Sequence, residues 1–127
     1  MEAKLRLRAA WVAGGWLIAA AIVWLSLIPA PPRLDVEQGD KIEHVAAYAT
    51  LMFWFCQLYA RRPARLAYGV AWIAMGVAIE FAQRAVGYRS FEVFDMVADA
   101  LGVLGGWAVA VATGGGVFAR VERWILA

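Results

Sequence analysis

Five ionisable residues of this chain, His44, Glu80, Arg89, Asp95 and Asp99, lie inside or beside long apolar stretches. An ionised side chain at the centre of a bilayer costs roughly 2.5–3.5 kcal/mol even on insertion scales, so such groups point to function. Their types suit several chemistries: imidazole exchanges protons near neutral pH, a desolvated carboxylate serves as a general base, and guanidinium grips acidic groups bidentately. Their spacing is helical. Asp40, His44 and Tyr48 are four apart; Gly69, Gly76, Glu80, Gln83 and Gly87 share a second face; Asp95, Asp99, Gly102 and Gly106 share a third. Small residues mark close approach between membrane helices, so Glu80 and Asp99 are expected to face the interior of a bundle. The candidate ligand-binding set is therefore His44, Tyr48, Glu80, Gln83, Arg89, Asp95 and Asp99. Plainer roles stand beside it. Asp40 with Glu43 has the spacing of a helix N-cap and its reciprocal partner, and Arg89 could staple a loop by pairing with Glu92 or Asp95.

The elements that must position these residues follow from composition. Apolar residues make up 64% of the chain and charged residues 17%, with seven Trp; that is a membrane composition. The uncharged runs 9–32 and 100–119 each supply the roughly 20 residues that a bilayer core requires. Two further spans, 45–60 and 66–83, reach that length only by taking in His44 or Lys41, and Glu80. Four helices are expected, near 9–29, 41–60, 65–86 and 93–113. The fold class is all-α: a polytopic, multi-pass membrane protein with one four-helix transmembrane domain over 1–127. The first run outlasts the 7–15-residue core of a secretory signal, and Pro29, Pro31 and Pro32 crowd its only cleavage position, so it is read as a retained helix.

Lysine and arginine orient the bundle. Eight fall in the N-terminal tail, the helix 2–3 loop and the C-terminal tail, and four in the other two loops; both termini are therefore expected in the cytoplasm. Helix 2 then enters from outside, with His44 about 5 Å in. Glu80 falls roughly 10 Å below the outer boundary, and Asp95 and Asp99 follow helix 4 inward, so the polar residues gather in the outer third. The net charge of +2 belongs to this topology and offers no basic face for nucleic acid. Cys56, the single cysteine, permits neither an internal disulfide nor a multi-thiolate metal site. Trp11, Trp54, Trp107 and Trp124 are read as anchors at the inner interface, and Trp24 at the outer one. After three glycines, the segment 117–126 repeats Val117, Phe118, Val121, Trp124 and Ile125 opposite Arg120, Glu122 and Arg123. It is expected to lie on the inner membrane surface.

Ser26-Leu27-Ile28-Pro29, Asp40-Lys41 followed by His44 and Tyr48, Glu80 with Gln83, and Gly87-Tyr88-Arg89 followed by Asp95 and Gly102 resemble the VanZ-like bacterial integral membrane proteins. The likeness covers about residues 22–106. It departs at Asp99, where that family usually has Asn. The resemblance implies the bacterial cytoplasmic (inner) membrane, cell-envelope biology and a link to teicoplanin-type glycopeptide antibiotic resistance, without implying a reaction.

Three function classes remain open from sequence. An outward-facing polar pocket could bind an envelope ligand, either a lipid-linked cell-wall precursor or the glycopeptide itself. The same residues could form an enzyme site, with Glu80 as general base and His44 and Asp95 as its acid-base partners on a lipid-linked substrate. The bundle could also be purely structural. Transport is disfavoured because the inner half offers no polar relay. Membrane lipid is the expected partner, a homo-oligomer is possible, and no cofactor is expected. No metal is expected either, because no HExxH-type spacing occurs.

Overall fold

The computed structural model describes residues 4–88 and 91–127. Among the described residues the chain is all-helical: α1 spans Arg8–Leu27, α2 Gly39–Leu58, α3 Arg62–Val86, α4 Val93–Ala112 and α5 Val117–Ile125. The helices end where the backbone requires. Pro29 pushes the preceding Ile28 into an extended conformation and closes α1. Proline within the first turn of α3 costs no internal hydrogen bond, and Gly87, at φ 81°, takes the left-handed conformation that terminates that helix.

The start of α2 corrects the expected cap. Gln38 adopts a left-handed turn at φ 58°, so the helix begins at Gly39 and Asp40 already lies inside its first turn. Asp40 turns to Lys41, and the Glu43 carboxylate accepts a hydrogen bond from the Leu34 backbone N–H, tying down the α1–α2 loop. No capping box forms.

Three helices, α1, α3 and α4, are long and apolar enough to cross a membrane. The expected fourth, α2, matches α1 and α4 in length, but Asp40, Lys41, Glu43 and His44 crowd its first turns and lower its hydropathy. It is nevertheless the centre of the bundle. Tyr48, Leu51, Met52, Phe55, Cys56 and Leu58 are all buried, and α2 packs most extensively on α4. Glycine permits that approach: a Cβ at Gly102 would lie 2.6 Å from the Val45 carbonyl oxygen, and one at Gly106 would overlap the Ala49 carbonyl. Phe55 then anchors an aromatic cluster with Trp16, Tyr68 and Trp72.

Large apolar side chains face outward while two carboxylates lie inside. Leu17, Val70, Phe94, Leu101, Leu104 and Val111 point outward, while Glu80 and Asp99 are 0% and 1% exposed.

The tail helix α5 corrects a second expectation. It docks against the end of the bundle, with its Phe118 ring stacked on Trp11 at 4.0 Å and set edge-on to Trp54. Glu122, expected on the outward polar face, is buried: its carboxylate accepts hydrogen bonds from the Arg6 and Leu7 backbone N–H groups at 2.8 Å and from the Trp11 indole at 2.7 Å. Those N–H groups sit at the start of α1, where no intrahelical acceptor exists and the helix dipole favours an anion. Desolvation pushes the Glu122 carboxyl pKa up, but these hydrogen bonds and the charge of Arg6 outweigh it and hold it below the ordinary glutamate value. Trp11 and Trp54 thus serve a packed interface within the chain, whereas Trp124 is 82% exposed.

Candidate functional site

Three-residue spacing on α2 and four-residue spacing on α4 turn two faces toward each other at one end of the bundle. Lys41 and His44 on α2 meet Asp95 and Asp99 on α4 as two successive rungs. In the first rung, the Lys41 ammonium lies 2.6 Å from Asp95 Oδ1, 2.6 Å from Asp40 Oδ2 and 3.4 Å from Glu92 Oε2. Asp40, Glu92 and Asp95 could between them offer a metal ion three oxygens within 4.8 Å of one another. Lys41 already supplies a cation to all three. In the second rung, His44 Nδ1 lies 2.6 Å from Asp99 Oδ1, and His44 Nε2 is 3.6 Å from Asp95 Oδ2. Asp99 therefore holds the ring with Nδ1 as donor, which directs Nε2 toward Asp95. The carboxylate of Asp99 fits because α3 has glycine beside it: a Cβ at Gly76 would stand 2.5 Å from Asp99 Oδ2.

The third helix closes the cluster. Glu80 Oε1 accepts the Glu92 backbone N–H at 2.8 Å, fixing the start of α4. Its other oxygen, Oε2, is buried and has no hydrogen-bond partner among the described residues. Gln83 is also buried; its Nε2 donates to the Ser26 carbonyl at the end of α1 at 2.8 Å, leaving Oε1 without a donor among the described residues. Orphaned buried acceptors are uncommon and each costs about 1–3 kcal/mol.

Beside the ion network lies a cavity of about 540 Å³. Ile22, Leu25, Pro31, Pro32, Ile42 and Ala46 give it apolar walls, whereas His44, Tyr48, Gln83, Glu92 and Asp95 give it polar ones, with Arg33 also lining it. This volume lies within the usual range for a small-ligand pocket.

The structure thus brings together six of the seven sequence-derived candidates, His44, Tyr48, Glu80, Gln83, Asp95 and Asp99, while Arg89 lies outside the described residues. Asp99, and not Glu80, is the hydrogen-bond partner of His44. Sequence reasoning missed Lys41 as the central cation, Glu92 as its third acid, and the contribution of α1 and its proline loop to the cavity. The Asp40-Lys41 pair one turn before His44 carried the first signal. Nothing in the sequence pairs Ser26 with Gln83.

Fold and site together define a helical bundle with an apolar exterior, a buried ion network at one end and a cavity beside that network. The chain is 38% identical over 74 residues to an uncharacterized protein of Schizosaccharomyces pombe. The match covers 56% of this chain and 46% of that protein, so the likeness spans about half of each. No family model and no solved structure matches the chain.

Proposed function

We propose that this protein is a VanZ-like, four-pass membrane bundle of the bacterial inner membrane that binds an amphiphilic envelope ligand in its outer cavity. The carrying observation is the cavity itself, apolar on the α1 and proline-loop side and polar along His44, Tyr48, Gln83 and Asp95. Such walls suit an acyl or prenyl chain with a hydrogen-bonding head. In this reading α2 crosses the membrane too, its charged first turns lying at the outer boundary beside Asp95. Contact between Glu122 and the start of α1 brings α5 to the beginning of α1, which supports an even number of passes. The excess of Lys and Arg in the tails and the α2–α3 loop makes that side the cytoplasm. The likeness to a eukaryotic protein favours lipid chemistry over a ligand unique to peptidoglycan, and a role in teicoplanin sensitivity would follow from lipid handling.

Filling the cavity tests this. Ala46 is exposed to it, so Ala46→Trp is expected to occupy the space without disturbing the α2–α4 seam. Lipid co-purifying per mole of protein, measured by mass spectrometry, should drop about tenfold, and any effect on teicoplanin sensitivity should disappear. Val97→Trp, on an outward face of α4, should change neither. Full lipid retention by a folded Ala46→Trp protein would contradict the reading.

A second reading rests on the His44–Asp99 contact. An imidazole oriented by a carboxylate beside a cavity is an arrangement for general-base catalysis on a lipid-linked substrate. It differs from the sequence expectation in making His44, and not Glu80, the base. Turnover of a bound lipid by wild type, lost in His44→Gln with binding retained, would select this reading.

A further inference from the structure

We infer that the head of the bound lipid is a neutral hydroxyl, as in a lipid alcohol or a glycolipid, and not a phosphate. This rests on the cavity being a lipid site and adds what that site selects. The acids along the cavity already have partners: Asp40, Glu92 and Asp95 converge on Lys41, and Glu43 accepts from the Leu34 N–H. Among the described residues, the buried acceptor bordering the cavity that remains unmet is Gln83 Oε1, a neutral oxygen on a side chain only 2% exposed.

Its orientation is set. Gln83 Nε2 donates to the Ser26 carbonyl, so rotating the amide would place two carbonyl oxygens against each other. The group that completes Gln83 must therefore be a donor. A lipid ammonium would donate, but the Lys41 ammonium already occupies the point where Asp40, Glu92 and Asp95 converge. A phosphodiester has no proton to give, and any phosphate would bring its negative charge against Asp95 and Glu92 at the same wall. A hydroxyl donates to Gln83 Oε1 and can accept in turn from the Tyr48 hydroxyl, which lines the same space.

The test uses the purified full-length protein in detergent and lipids with identical dioleoyl chains: dioleoylglycerol, its glucosyl derivative, phosphatidylethanolamine and phosphatidic acid. Retention of each is read by native mass spectrometry. Dioleoylglycerol and the glucosyl lipid should be retained at least about tenfold better than phosphatidic acid, and better than phosphatidylethanolamine; tenfold corresponds to about 1.4 kcal/mol, within the value of one satisfied buried acceptor. Gln83→Met should abolish the preference, while Gln83→Glu, which keeps an acceptor, should still retain the two hydroxyl lipids over phosphatidic acid. Thermal unfolding of both variants reports whether the α1 contact survives. Equal retention of all four lipids by wild type would overturn the hydroxyl inference and leave the lipid site standing. Preferential retention of phosphatidic acid or phosphatidylethanolamine would overturn it in favour of that headgroup. Retention of none would remove both.

Discussion

At the scale of single residues, the polar cluster is a network in which each carboxylate has a defined task. Asp95 answers Lys41, Asp99 answers His44, and Glu80 ties down the backbone at Glu92. Removing Lys41 would leave the buried Asp95 without its main counter-charge, a loss of about 3 kcal/mol or more for a fully buried pair and less at this partly wet edge. Asp99 allows a cleaner experiment. An amide oxygen can accept from His44 Nδ1 as a carboxylate does, and Asn matches Asp in size beside Gly76. Asp99→Asn is therefore expected to keep the fold and lipid retention, whereas Asp99→Ala should lose about 1–3 kcal/mol by stranding the imidazole donor. Thermal unfolding in detergent measures both. Equal destabilisation by the two substitutions would show that the charge of Asp99, and not its acceptor oxygen, holds His44.

At the scale of elements, helical periodicity made the main faces legible. The stripes through His44 and Tyr48, through Glu80 and Gln83, and through Asp95, Asp99, Gly102 and Gly106 all turned inward, where Gly76, Gly102 and Gly106 let neighbouring groups approach closely. Local rules failed where tertiary contacts overrode them. A left-handed residue at Gln38 displaced the expected Asp40 cap. The amphipathic pattern of α5 placed Glu122 outside, yet the open N–H groups of α1 draw that carboxylate inward. This contact has a definite pH sign. Because the folded pKa of Glu122 is depressed, its stabilisation is complete above the unfolded value and is lost as pH falls through the folded one. Spin labels at positions 6 and 123 in a Cys56→Ala background should give one short distance at pH 7 that broadens below the ordinary glutamate range. Glu122→Gln should be broad already at pH 7. A short, sharp distance in that variant would show that the Phe118–Trp11 stack alone holds the helix.

At the scale of the whole molecule, the chain places its polar groups inside and its aliphatic surface outside, then opens one cavity where α1 and its proline loop stand off from α2. The places of α1, α3 and α4 could be read from hydropathy, that of α2 only by taking its charged first turns into the span, and that of α5 from its amphipathic spacing. The cavity could not, because it depends on how far the end of α1 leans away, and that is set by contacts such as Gln83 to Ser26 and Tyr88 to the Leu27 carbonyl, which join residues some 60 positions apart. The central claim of the proposed function is that this opening, and not the general apolar outer surface, holds the ligand. Photolabelling addresses it most directly: the protein is reconstituted in dioleoyl vesicles doped with a diazirine-bearing dioleoylglycerol, irradiated, and its adducts are mapped by peptide sequencing. Adducts that excess unlabelled dioleoylglycerol competes away should fall on Ile22, Leu25, Ile42 and Ala46, while label on Leu101 and Leu104 should resist competition. Competable label spread evenly over the outer faces, or absent from the α1–α2 opening, would contradict the account.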